Sequence, residues 1–226
     1  FGKDLDYDLL LICPLVQNIK RVASRYETVL TRDGGDVGYL AKPYYELNDG
    51  QLDLRSVPVP KGIFSEEDLE NGDNFFADQG FLQRSLRGAI NRYLYPMKNS
   101  LQKIVAYDPV REYSSPKSNE WKLMKRILVD WIKGADGASV VISPIPLYQH
   151  VEGLSSPANY RKRFVELVDE TLASVHDPLD RFLQETKETR RECRFRVDQH
   201  FTALGHSIMA DALEPMIIDH MKVGLK

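Results

Sequence analysis

The feature that most constrains this chain is a short apolar run that ends at a proline and occurs twice. Leu9–Cys13 is continuously apolar and stops at Pro14, and Val140–Ile142 runs into Ser143 and Pro144. Strands covered on both faces, as in parallel sheets, have such continuous apolar sequences because neither face meets water. The pattern therefore predicts two parallel strands whose carboxyl ends open into loops, where α/β proteins place their functional residues.

Apolar residues at helical spacing predict the helices that separate these strands. The segments with this spacing are Val16–Leu30, Phe81–Leu94, Trp121–Ile132, Tyr160–Leu172 and Ile208–Ile218. A third strand is predicted at Cys193–Val197, where Phe195 and Val197 share a face, and an exposed loop at the acidic stretch Ser65–Asp73. The alternation of strands with helices favours an α/β fold.

A β-hairpin is predicted after the first helix. Tyr39–Leu47 and Leu52–Val57 are rich in β-forming residues and flank the sequence Asn48-Asp49-Gly50. Asp-Gly supplies the positive φ angles that a tight hairpin turn requires. We therefore expect a single α/β domain over residues 1–226, with a hairpin insertion at residues 37–60.

Composition excludes several classes of partner. A chain of 226 residues that is 42% apolar can bury a sizeable core, and its net charge of -3 lacks the positive field of a nucleic-acid or anionic-membrane binder. The longest apolar stretch, around Leu9–Val16, is far shorter than the roughly 20 residues that cross a bilayer, so no membrane span is predicted. Two cysteines, Cys13 and Cys193, offer no disulfide framework and favour a reducing, cytoplasmic compartment by default.

The most informative segment for function follows the third predicted strand. Asp198 and His200 lie two residues apart there, before a predicted helix that Thr202 can cap. A carboxylate beside an imidazole holds its tautomer and stabilises the imidazolium formed in general-base catalysis. The same residues also fit a plain turn with an aspartate cap and a surface histidine, and their spacing alone does not separate these interpretations.

This segment resembles the last conserved block of the SGNH/GDSL hydrolase family. The likeness runs from Asp198 to Leu213 and includes the Gly205-His206 pair and the helix after it. Looser likenesses occur at Tyr7–Leu11, Lys42–Tyr44, Asp49–Leu52 and Val57–Pro60. The resemblance implies a flavodoxin-like three-layer α/β/α sandwich in which Asp198 and His200 complete a Ser-His-Asp triad.

The chain also departs from the family pattern. It contains no Gly-Asp-Ser sequence for the nucleophile, since Asp36 is followed by Val37 and Asp73 by Asn74. The family's Gly-x-Asn-Asp block has no clear counterpart after the first strand. Asn18 is our choice for the side-chain donor to the oxyanion and Gln17 the alternative, while a plain helix-start amide remains a further interpretation of this position.

A flavodoxin-like sheet has about five parallel strands, and the sequence predicts three. We therefore expect that N-terminal strands are missing from these 226 residues, that the serine nucleophile lies among the missing residues, and that the Leu9–Cys13 strand has an open edge.

The resemblance and the missing nucleophile lead to two hypotheses about function. The first is a serine esterase or acylhydrolase that hydrolyses an ester or transfers an acyl group, with a small-molecule, carbohydrate or lipid ester as substrate. The alternative is a noncatalytic SGNH-like pseudoenzyme or assembly module. No cofactor and no metal site are predicted, since His150 and His176 lack partners at metal-binding spacing. Tyr148, His150 and Tyr160 line a substrate cleft or pack as aromatic core.

Overall fold

The computed structural model describes residues 7–30, 37–70, 107–135, 137–196 and 200–224. The chain folds into two compact units, one formed by residues 1–20 with 106–226 and the other by residues 21–105. The predicted hairpin insertion at residues 37–60 lies within the second unit. That residues 1–226 act as one domain stays a prediction.

The elements are numbered here in chain order. The strands are β1 (Leu9–Ile12), β2 (Tyr26–Leu30), β3 (Val37–Ala41), β4 (Tyr44–Asn48), β5 (Gln51–Arg55), β6 (Ile63–Phe64), β7 (Ser139–Ile142) and β8 (Ser174–Val175). The α-helices are α1 (Ile19–Val22), α2 (Glu66–Glu70), α3 (Asn119–Lys133), α4 (Tyr148–Val151), α5 (Ala158–Glu170), α6 (Leu179–Leu183), α7 (Lys187–Glu192) and α8 (Ala203–Gly224). Two 3-10 helices cover Val16–Asn18 and Arg111–Ser114.

The first unit is built on a small parallel sheet with the strand order β1-β7-β8. In its register Leu9 lies opposite Ser139 and Ile12 opposite Ile142. The last three residues of the central strand β7 are buried, whereas Leu9–Leu11 in the outer strand β1 are only half-buried. The α/β class and the two strands predicted from the apolar runs are therefore confirmed.

The third parallel strand lies elsewhere than predicted. Strand β8 pairs with β7, whereas Cys193 is the residue that ends α7 and Phe195 is 53% exposed. The reason is local capping. Thr186 accepts a hydrogen bond from the Thr189 N–H at 3.2 Å, which starts a helix through the charged residues that follow and brings it to Cys193.

Three predicted helices of the first unit are confirmed as α3, α5 and α8. Helix α3 begins at Ser118, whose Oγ accepts the Trp121 N–H at 3.2 Å. Trp121 contacts Phe164 of α5, with ring centroids 5.8 Å apart, and Tyr113 packs against both rings. These fully buried aromatic side chains form the core on which the two helices meet.

In the second unit the predicted hairpin turn is confirmed, but its first arm Tyr39–Leu47 is wrong in part, because Tyr39–Ala41 lies in β3, which pairs with β2 in another sheet. Strands β4 and β5 pair antiparallel around Asp49 and Gly50, whose φ angles of 49° and 80° suit a type I′ turn. The predicted helix Val16–Leu30 is wrong after α1, because Tyr26–Leu30 forms strand β2 and pairs with β3. Tyr26, Thr28 and Val29 are residue types that favour strands once a partner strand is present.

The predicted loop Ser65–Asp73 is also wrong in part, since α2 lies within it. The Ser65 N–H donates to the Asp68 carboxylate at 2.7 Å, and the Asp68 N–H donates to Ser65 Oγ at 3.2 Å. This reciprocal pair is a capping arrangement that starts a helix. The predicted helix Phe81–Leu94 lies outside the described residues.

Candidate active site

The carboxyl ends of the three parallel strands form one edge of the first unit. Strand β1 ends before Cys13, β7 before Ser143 and β8 before His176. The pairing of β1 with β7 continues past the strands through a parallel bridge between Leu15 and Ile145. In open α/β sheets, ligands bind at this carboxyl edge.

The two predicted oxyanion donors lie directly beyond β1. Gln17 is exposed and Asn18 half-buried, both in the 3-10 helix that starts at Val16. The Val16 N–H donates to the Ile145 carbonyl at 3.0 Å, and the Tyr113 hydroxyl donates to the Val16 carbonyl at 3.0 Å. These bonds fasten the 3-10 helix to the carboxyl edge, and the role of the Asn18 amide as oxyanion donor stays a prediction.

His200 lies in a closed loop between α7 and α8. The Phe195 N–H donates to the His200 carbonyl at 3.2 Å, and Arg194 and Phe201 form an antiparallel bridge at the base of the loop. The Thr202 N–H donates to the Cys193 carbonyl at 2.9 Å. The histidine is exposed, and Asp198, its predicted partner, lies outside the described residues.

Two side chains at the base of this loop attach it to elements that follow β7 and β8. The ring of Phe201 lies 5.3 Å from the ring of Phe182 in α6. Arg194 Nε donates to the carboxylate of Glu152, the residue that ends α4, at 2.7 Å. Helix α4 follows β7 and α6 follows β8, so the loop is held by segments that leave the carboxyl edge of the sheet.

The Asn18 segment and the His200 loop contact different neighbours. The Asn18 segment packs on Ile145 and Tyr113, and the His200 loop on α4 and α6. Helix α8 meets the sheet edge through Ala212, whose carbonyl lies 2.8 Å from His176 Nε2. Ala212 is nine residues beyond the start of α8, about 14 Å along the helix. That the His200 ring faces the end of β1 stays a prediction.

Thr202 is the N-cap predicted from the sequence. Its Oγ1 accepts the Gly205 N–H at 3.4 Å and donates to the Glu192 carbonyl at 2.7 Å. The hydroxyl therefore joins the end of α7 to the start of α8 and closes the loop from its other side.

Beyond β7 lies a group of buried polar side chains, of which the sequence pointed to His150 alone as a candidate. Ser143, Gln149 and His150 are 0%, 9% and 2% exposed, and neither ring nitrogen of His150 has a hydrogen-bond partner among the described residues. The imidazole packs against the Tyr160 ring, with centroids 5.0 Å apart. Burial lowers the pKa of His150 to about 4, with Arg161 adding to the effect and Asp108 opposing it. His150 is therefore neutral at pH 7.

Tyr148, His150 and Tyr160 pack as aromatic core and rim, since all three are buried. The Tyr160 hydroxyl donates to Asp177 at 2.9 Å, and burial together with the Asp177 charge raises the pKa of the phenol. An open groove of about 610 Å³ lies beside β8, lined by Val165, Val168 and the ion-paired Arg161 and Asp177 among others. It offers an apolar wall whose neighbouring charges are already paired.

Neither cysteine has the surroundings of an activated thiol. Burial raises the pKa of Cys13, and burial with Glu185, Glu192 and Glu152 raises that of Cys193, so both stay protonated at neutral pH. Over the described ranges no group of three or more His, Cys, Asp or Glu side chains is placed to hold a metal ion. Helices with the length and apolar character needed to cross a membrane are likewise absent from the described part of the chain.

Comparison of the chain with protein-family models, with curated proteins and with solved structures finds no match.

Proposed function

We propose that the protein is an SGNH-type serine ester hydrolase or acyltransferase in which His200 is the general base, Asp198 orients it, and Asn18 donates to the oxyanion, with Gln17 as the alternative donor. The observation that carries the proposal is that exposed His200 lies beside the Arg194–Phe201 bridge, which closes the base of its loop and is tied to α4 and α6. Both helices leave the carboxyl edge of a parallel sheet, where such sites form.

The finer fold proposed is the flavodoxin-like three-layer sandwich of that family. A parallel sheet in the order β1-β7-β8, with helices in the connections, supports it. The half-buried leucines of β1 are compatible with a further strand on that side. The proposal includes a serine nucleophile outside residues 1–226, because no Gly-Asp-Ser sequence occurs within them.

The proposed substrate is an uncharged ester, such as an acylated carbohydrate or a lipid ester. The support for this class is the groove beside β8, which reaches the carboxyl edge at Pro144 and His176 and has Val165 and Val168 in its walls. Its Arg161 and Arg181 are paired with carboxylates. An anionic substrate would have to compete with those carboxylates for the guanidinium groups.

The test is active-site labelling of the full-length protein with a fluorophosphonate, which reacts covalently with an activated serine. We expect labelling and esterase turnover in the native protein, and a loss of about 10⁴-fold in kcat in His200→Ala. Asp198→Asn is expected to be severely impaired, because an amide cannot hold the productive tautomer.

His206→Ala is the matched control, since His206 is a second exposed histidine of the same block. It should retain turnover within a few fold of the native rate. Turnover in His200→Ala within about tenfold of the native protein would contradict the triad assignment. Absence of labelling in the native protein would favour the noncatalytic alternative.

A further inference from the structure

Arg194 is placed to act on the loop that carries His200. Its backbone pairs with Phe201, the residue next to His200, and its Nη1 donates to the Phe195 carbonyl at 3.3 Å. The Phe195 N–H in turn holds the His200 carbonyl. Arg194 therefore contacts Phe195 and Phe201, the two residues whose backbones flank and hold His200.

The other contacts of Arg194 go to the segment beyond β7. The guanidinium lies over the Tyr148 ring, 4.3 Å from its centroid, and Nε donates to Glu152 at 2.7 Å. The Arg194 and Glu152 side chains are only 8% and 4% exposed, and burial raises the pKa of the Glu152 carboxyl to about 7, so the two form a full charge pair above that pH. A charge pair withdrawn from water in this way has a large desolvation cost, which a similar apolar pair would avoid. What the pair supplies that an apolar pair would not is a directed contact between the His200 loop and the end of α4.

Glu152 is connected to the parallel sheet by a short segment. Glu152 ends α4, and only Ser143–Leu147 separate α4 from β7. Ser143 and Leu147, at the two ends of this stretch, are buried, and so is Val151, so Glu152 is attached to a buried part of the first unit. A second bond, from Arg190 Nη1 to the Val151 carbonyl at 3.1 Å, holds α7 to the same place.

We infer that Glu152 and Arg194 are positioning residues, which hold the His200 loop in register with the carboxyl edge of the parallel sheet for the ester chemistry proposed above. The inference rests on that proposed function. Neither residue touches the substrate. Their effect is on the placement of the imidazole, which general-base catalysis requires to within a fraction of an ångström.

The test replaces the pair with two apolar side chains of similar size, Glu152→Met together with Arg194→Met, in the full-length protein. Replacing a buried ion pair in this way is often neutral or stabilising, because no unpaired charge remains. We expect an unchanged or higher melting temperature and a kcat, counted per fluorophosphonate-titrated site, that falls at least about tenfold while KM changes less than about threefold. A purely structural pair would change the melting temperature and leave turnover per titrated site as it was.

Two further variants complete the experiment. Lys125→Met with Glu170→Met removes an ion pair that joins α3 to α5, away from the loop, and should leave turnover per site unchanged. Arg194→Lys keeps the charge beside Glu152 but loses the planar guanidinium over Tyr148, so we expect an intermediate loss of about threefold. If the double methionine variant does not fold, turnover per titrated site in Arg194→Lys tests the positioning role.

The outcomes separate the two proposals. A native protein that is labelled and depends on His200, with turnover per site in both Arg194 variants at the native level, overturns the positioning role alone. A native protein that is not labelled contradicts the proposed function, and the positioning role is overturned with it.

Discussion

Gly205 shows at the scale of one residue why the His200 loop requires a glycine. A Cβ atom at this position would lie 2.3 Å from the Cys193 carbonyl oxygen and 3.0 Å from Phe201 Cβ. The Cys193 carbonyl also accepts the Thr202 N–H that closes the loop, so it cannot move without opening it. The close approach of the loop to α8 therefore gives a physical reason for the glycine of the Gly205-His206 pair.

We predict that Gly205→Ala destabilises the protein by about 1–3 kcal/mol, the usual cost of overpacking a close backbone contact. Urea denaturation of the two proteins measures the difference. Gly134→Ala is the control, because its Cβ would meet nothing closer than 3.4 Å and φ there is -81°. If both alanine variants were equally stable, the close contact at Gly205 would not exist in solution.

His150 makes stability depend on pH. Its pKa falls from an ordinary 6.5 to about 4 in the folded protein, so the unfolded chain binds a proton that the folded one does not. Its contribution is complete above pH 6.5 and is lost as the pH falls toward 4, with a slope of up to about 1.4 kcal/mol per pH unit. We predict that His150→Gln reduces this slope, measured by urea denaturation at several pH values between 4 and 7.

Glu152 has the opposite effect on the pH dependence of stability. Burial raises the pKa of this carboxyl to about 7, with Arg191 and Arg190 opposing the rise, so its contribution is present below pH 4.5 and lost as the pH rises toward 7. The two groups therefore oppose each other between pH 4.5 and 6.5, and the native protein alone does not reveal either. An unaltered slope in His150→Gln would show that His150 has the same pKa in the folded and the unfolded protein.

At the scale of the element, patterns that stay local could be predicted from the sequence. The Leu9–Cys13 and Val140–Ile142 runs identify β1 and β7 because both are apolar throughout. Asp49-Gly50 identifies the β4–β5 turn because few other sequences accept two positive φ angles. Apolar residues at helical spacing predict α3 because they form one face of the helix, which is buried.

Elements whose stability comes from distant partners could not be predicted. Strand β8 has two residues, too few to show a period, and exists because it pairs with β7. Tyr26–Leu30 has helical spacing as well as strand-forming residues, and its pairing with β3 decides between them. Within the candidate site, Asp198 and His200 are predicted from a local pattern of residues two apart, whereas Glu152 and Arg194 are 42 residues apart and only the fold shows that they meet.

The whole molecule consists of two units with very different burial. In the first unit Val141, Ile142, Phe164 and Leu167 are completely buried. In the second unit, among the residues that the structure describes, the buried ones are Gly38 and Leu69. Local opening costs little free energy where few side chains are buried, so the two units should differ in their opening equilibria.

Hydrogen exchange followed by mass spectrometry can measure this difference in the protein as it stands. We predict that amides of the hairpin 44–55 exchange at least about 100-fold faster than amides of β7, a difference of about 2.7 kcal/mol in opening free energy. Leu167→Ala, which opens a cavity in the first unit and costs about 2–5 kcal/mol, should speed exchange in β7 and leave the hairpin unchanged. Equal acceleration of both segments would mean that the two units unfold as one cooperative body, and that the division at residues 21 and 105 has no energetic counterpart.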